Sequence, residues 1–129
     1  MTDKEVNRMS EIRRGDIWMV DFGAPEDEYD HKLHGIRPVV IVSNDSANRH
    51  STVFHAVPLT SKVRKKTYLP THIFISSYKA VGLRTNSIAQ CEQLCDVNDT
   101  DLIEKIGEVS KKQLQQITKG MQIQLGMSK

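Results

Sequence analysis

The segment Pro38-Val-Val-Ile-Val-Ser43 restricts the fold of this chain more than any other. It is a continuous β-branched run, which suits a strand buried on both faces. Proline cannot donate to a ladder, so Pro38 belongs at the first position of that strand or on an edge. Gly15 to Phe22 reads as a strand before it, with Ile17, Met19 and Asp21 alternating against Trp18, Val20 and Phe22. Trp18 and Phe22 are assigned to the core, because this strand needs apolar payload. Between the two strands, Gly23 to Gly35 forms a long loop with many charges.

The pattern continues with short elements. Asn44 to Ser51 is polar, a loop or a short helical turn. Thr52 to Thr60 is a third strand, ended or kinked at Pro58. Thr71 to Ser76 is a fourth, Tyr78 to Leu83 a turn holding Gly82, and Asn86 to Glu92 a fifth with Ile88 and Cys91 inward. Short strand material follows around Leu94 and Val97, and around Ile106 and Val109. The last element differs. Ser110-Lys-Lys-Gln113 has capping-box form. Leu114, Ile117, Met121 and Leu125 then recur at helical spacing, which predicts one amphipathic helix over about residues 111–126. Five or six short strands with one closing helix predict a mainly β domain, a small, strongly bent antiparallel barrel. Residues 1–12 read as a flexible extension and 13–129 as a single domain.

Bulk properties exclude several classes. A chain of 129 residues needs no covalent staple. Cys91 and Cys95 lie in or beside apolar sequence with no secretory signal ahead of them, which argues against a disulfide framework and for a reducing cytoplasm. No metal site and no cofactor are expected. No apolar run nears the ~20 residues that span a bilayer. A net charge of +2 is too small to prove a nucleic-acid partner.

The charge distribution and the junctions are more informative. Arg37 stands where a flexible loop meets the buried strand, fixed at its base and open at its tip. A guanidinium matches phosphate geometry bidentately. A strand-edge salt bridge is the equally simple alternative. Thr60 ends the third strand, where a hydroxyl could donate to a phosphate oxygen as charge develops. Lys62, Arg64, Lys65 and Lys66 follow directly and would extend a phosphate track. Among the five histidines, His31 and His34 precede Arg37 and are best placed for proton transfer. His55 and His72 read as partly buried strand residues, and His50 as surface. Glu92 and Gln93 close the fifth strand, where a carboxylate could orient a base edge or assist proton transfer. Tyr29 and Tyr68 are the loop aromatics able to stack on bases.

Together these residues resemble the MazF/PemK toxin family. Arg14 to Phe22 is similar to its opening strand. His34-Gly-Ile-Arg-Pro-Val-Val-Ile-Val-Ser-Asn-Asp45 resembles its G-x-R-P-V-x-x-x-x-x-[ND] segment. Val57 to Thr60, Leu69 to His72, Leu83 to Gln93 and the closing helix follow in order, over roughly residues 13–126. One departure is Lys32-Leu33, where the family usually carries Glu-Gln. The resemblance implies an SH3-like barrel with a C-terminal helix, acting as a homodimer on single-stranded RNA and inhibited by a cognate antitoxin. It implies cleavage by attack of the RNA's own 2′-hydroxyl, giving a 2′,3′-cyclic phosphate and a 5′-hydroxyl without a metal. Arg37 and Thr60 fall on the family's catalytic arginine and threonine. His31 and Glu92 are the chemically easier proton acceptors. Asn44, within the matched segment, is taken as RNA-binding, and Ser87 and Gln93 fall near RNA-contacting positions. Two rivals stay open: a CcdB-like gyrase-binding barrel without catalysis, and a catalytically dead RNA-binding barrel. The C-terminus, Gly126 to Lys129, lacks the aromatic-containing tail of the former.

Overall fold

The computed structural model describes residues 12–28, 33–63, 69–78 and 80–128. Its elements are β1 (Asp16–Asp21), β2 (Ile36–Ile41), α1 (Asp45–His50), β3 (Val53–Thr60), β4 (His72–Ile75), β5 (Ser87–Gln90), β6 (Cys95–Asn98), β7 (Leu102–Glu108) and α2 (Lys111–Gln124). Short 3-10 turns at Cys91–Gln93 and Asp99–Asp101 precede β6 and β7. The strands pair antiparallel in the order β4-β5-β3-β2-β1-β7, with β6 also on β3. The described residues thus hold seven strands, where five or six were expected.

β2 behaves as its composition demands. Val40 and Val42 enter one core with Ile17, Val57, Cys91 and Ile117, while Val39 and Ile41 enter another with Trp18, Val20 and Phe54. Both faces of the strand are therefore apolar-packed. Pro38 takes the third position rather than the first. It is tolerated because β2 has only β1 beside it there, the ladder with β3 running over Val39 to Ile41. Pro58 does not end β3, which continues to Thr60. Along one edge β3 changes partner, from β6 up to Ala56 to β5 from Leu59, and Pro58 sits in that gap. His55, expected to be partly buried, is exposed; its carbonyl accepts from the amides of Val42 and Ser43, and its amide donates to Ser43 Oγ at 3.2 Å. Ile12, assigned to the extension, is 2% exposed and packs in the second core.

Two register shifts between β1 and β7 bend the sheet. The sheet does not close by hydrogen bonding between β4 and β7. The segment after β4 bridges that opening instead. The Glu108 amide donates to the Ala80 carbonyl at 2.9 Å, and a Cβ on Gly82 would lie 1.8 Å from the Ile106 carbonyl oxygen. Gly82 has φ +68°, so both backbone conformation and space require glycine there. The result is an open, barrel-like sheet.

α2 starts at the predicted capping box. Ser110 Oγ accepts from the Gln113 amide at 3.1 Å, and Gln113 Oε1 accepts from the Ser110 amide at 2.9 Å. Its buried residues, Ile117 and Gly120, face the first core. At Gly120 a Cβ would sit 2.7 Å from Cys91 Sγ, so the helix approaches the sheet as closely as it does because this position is glycine. α1 is capped by Asn44, whose side chain accepts from the Ala47 amide at 2.7 Å.

Candidate active site

Antiparallel register brings the first two candidates together. Val39 pairs with Pro58 where the β2–β3 ladder ends. Continuing the same register by two residues on each strand sets Arg37 opposite Thr60. There the strands are no longer paired, and the space is a cavity of about 730 Å³ lined by Arg37, Thr60, Lys62 and Ser87 among others. Ser87 reaches it because Thr60 pairs with Ile88, the next residue of β5.

Arg37 and Thr60 are each held at the base and open at the tip. Arg37 Nε donates to the His34 carbonyl at 2.8 Å, and its two terminal nitrogens have no partner among the described residues. Thr60 Oγ1 accepts from the Lys62 amide at 3.2 Å, which orients the oxygen and leaves its proton available. Ser87 is buried, with Oγ donating to the Thr85 carbonyl at 3.3 Å. Lys62 is exposed. Two donors of this kind facing one space can stabilise negative charge on a phosphate oxygen.

Other candidates lie elsewhere. Glu92 and Gln93 do not end a strand; they form the 3-10 turn after β5 and line a second cavity of about 380 Å³ with Phe22 and Leu33. Glu92 is engaged on both oxygens. Thr71 Oγ1 donates to Oε2 at 2.7 Å, and His72 Nε2 donates to Oε1 at 2.7 Å. His72 Nδ1 is buried with no partner among the described residues. Asn44 is committed to capping α1 and does not line the Arg37 cavity. His31, Arg64 and Lys65, and also Tyr29, Lys66 and Tyr68, lie outside the described residues.

Four polar residues of the cavity were not singled out in the sequence: Ser61, Arg84, Thr85 and Glu104. Arg84 follows the Gly82 turn, and that position before a strand is the only signal that could have marked it. Glu104 comes from β7, two strands away from Arg37, where no local pattern pointed.

Beneath Glu92, burial pushes the Cys91 thiol up to about 12, with the Glu92 charge adding to it. Burial likewise raises Cys95 to about 11, helped by Asp96. Both cysteines are free, and Cys91 Sγ donates to the Ile117 carbonyl at 3.5 Å. On the β1–β7 side, Lys105 bonds Asp16 at 3.1 Å and Glu108 at 2.8 Å; that hydrogen bond from Lys105 holds the Glu108 carboxyl below its usual range.

The family model described as PemK-like, MazF-like toxin of type II toxin–antitoxin systems matches residues 13–125. The chain belongs to this family. It is 31% identical over 118 residues to the Endoribonuclease MazF of Staphylococcus saprophyticus, covering 90% of this chain and 92% of that one. Solved structures agree with the fold. The Mycobacterium tuberculosis toxin MazF-mt6 superposes with a TM-score of 0.69 at 20% identity, over 88% of this chain and 99% of that one. The Deinococcus radiodurans MazF gives 0.71 at 19% identity, over 90% and 97%. A mycobacterial endoribonuclease in complex with its cognate antitoxin gives 0.71 at 24% identity, over 92% and 98%. The MazF-like fold is therefore a mainly antiparallel sheet with one C-terminal helix. No helix among the described residues is long and apolar enough to cross a membrane.

Proposed function

We propose that this MazF-family chain is an endoribonuclease toxin that cuts single-stranded RNA at particular sequences without a metal. The observation that carries this reading is the shared cavity of Arg37 and Thr60, both with donors that meet no partner among the described residues. The 2′-oxygen attacks the adjacent phosphorus, the P–O5′ bond breaks, and the products are a 2′,3′-cyclic phosphate and a 5′-hydroxyl. Arg37 and the Thr60 hydroxyl donate to the non-bridging oxygens, whose charge grows in the transition state. Lys62 and Ser87 bind the flanking RNA. The 2′ proton needs a neutral imidazole or a carboxylate as acceptor. His31, six residues before Arg37 in the sequence, is our candidate, since Glu92 has both oxygens engaged elsewhere. Arg64 and Lys65 continue the RNA track.

We extend two further features to this chain from its family. It acts as a homodimer, and a cognate antitoxin restrains it. The second is supported by the complexes among its structural neighbours, which include MazE–MazF of Deinococcus radiodurans.

One incubation tests the reading. Pure protein and single-stranded RNA are mixed in EDTA, and the fragment ends are labelled. Discrete fragments with 5′-hydroxyl ends are expected. RNA that is retarded on a gel but stays intact would replace the nuclease with a binding barrel, and intact RNA with blocked gyrase supercoiling would replace it with a gyrase poison.

A further inference from the structure

Three arginines of this chain are used in three ways. The Arg14 guanidinium is consumed by the fold, donating to the Val42 carbonyl and to Thr118 Oγ1. Arg37 is tied through Nε alone among the described residues. Arg84 is exposed, lines the Arg37–Thr60 cavity, and makes no hydrogen bond or ion pair among the described residues.

The backbone carrying Arg84 is braced on both sides. Ser77 Oγ donates to the Leu83 carbonyl at 2.6 Å, and the Ser77 amide donates to Asn86 Oδ1 at 2.8 Å. One residue before Leu83, Gly82 is seated against the backbone of β7. A rigid base with an uncommitted cationic tip loses little freedom when a ligand binds. The cavity also gathers like charges. Arg37, Lys62 and Arg84 all line it, and Glu104 is the single carboxylate among its described lining residues. Convergent cations raise one another's energy until an anion occupies the space between them, and a polyanion does this best. Arg84 belongs to the segment that leads into β5, the strand whose Ile88 pairs with Thr60, and it shares the cavity lining with Arg37 and Thr60.

Building on the ribonuclease reading, we propose that Arg84 grips the RNA phosphate next to the scissile one and so fixes the register in which the strand enters the cavity. The guanidinium holds two non-bridging oxygens of that phosphate while Arg37 and Thr60 act on its neighbour.

The test uses full-length wild type, Arg84→Ala and Arg84→Lys. The ligand is a single-stranded RNA with a 2′-deoxy substitution at the mapped cut site, so that binding is read without cleavage. Affinity is measured across a salt series, and cleavage of the unmodified RNA is followed in parallel. Loss of one phosphate contact should flatten the slope of log affinity against log salt by about 0.7. Arg84→Ala should therefore weaken binding severalfold at low salt, raise KM more than it lowers kcat, and spread the cut sites. Arg84→Lys should restore the slope but not the full affinity. An Arg84→Ala variant with wild-type affinity, slope and cut sites, beside a wild type that binds and cuts, overturns this inference alone. A wild type that neither binds nor cuts overturns the ribonuclease reading and this inference with it.

Discussion

The two cavities beside the sheet draw on similar polar residues and use them in opposite ways. Between β2 and β3, Arg37 and Thr60 keep donors free and face a common space. Beside the 91–93 turn, Glu92 is locked by Thr71 and His72, and the thiol of Cys91 beneath it is buried against α2. A polar group already satisfied by the protein holds the fold together. One that is positioned but unsatisfied is ready for a ligand. The comparison therefore predicts that substitutions in the first cavity change activity and those in the second change stability.

The largest effect belongs to the first cavity. Arg37→Ala should abolish cleavage, and Thr60→Val should slow it by about 10²–10³-fold, the usual cost of one lost charge-stabilising donor. Both variants should melt near the wild-type temperature. Single-turnover cleavage with a thermal melt checks this, and an Arg37→Ala protein cutting at the wild-type rate would erase the distinction between the cavities.

Thr71→Val probes the other side. It leaves one oxygen of a half-buried carboxylate without its donor, at a cost of about 1–3 kcal/mol of stability. Urea unfolding should show that loss, while cleavage should fall far less than in Thr60→Val. A variant of unchanged stability whose cleavage drops as far as that of Thr60→Val would instead put the Glu92 cluster at the reacting phosphate.

A third effect, small near neutral pH, sharpens the comparison through pH. The Cys91 thiol titrates near 9 when unfolded and near 12 when folded. Its folded value is raised, so its contribution is complete below about pH 9 and is lost as pH climbs toward about 12. Over that window stability should fall by on the order of 1 kcal/mol per pH unit. Native Cys91 should resist thiol reagents at pH 8 and react once the chain is unfolded in denaturant. Rapid native labelling would mean that α2 does not seal this core.

Much of the fold was legible because it is local. The β-branched run from Val39 named a strand buried on both faces, and Ser110 with Gln113 named the start of α2 within a residue. The stretch after Asn44 was open between a loop and a short helical turn, and it is helical over Asp45–His50. Each of these depends on side-chain type at a spacing of one to four residues, which the chain states directly. Which strands become neighbours was not legible, because periodicity tells a strand which face is apolar and leaves its partner open. The switch of β3 from β6 to β5 around Pro58 is of this kind, as is the bridge made by residues 80–82 across the open side.

The same division holds for the site. The sequence by itself determined that Arg37 and Thr60 stand at strand ends beside loops, where side chains can be fixed and still reach solvent. Only the tertiary structure decided that they meet, since that follows from the β2–β3 register, a pairing across a connection that includes α1. It also separated Glu92 from them and added Arg84 and Glu104. Those positions depend on sheet order and on the close approach at Gly82, and such long-range contacts leave no mark in nearby residues.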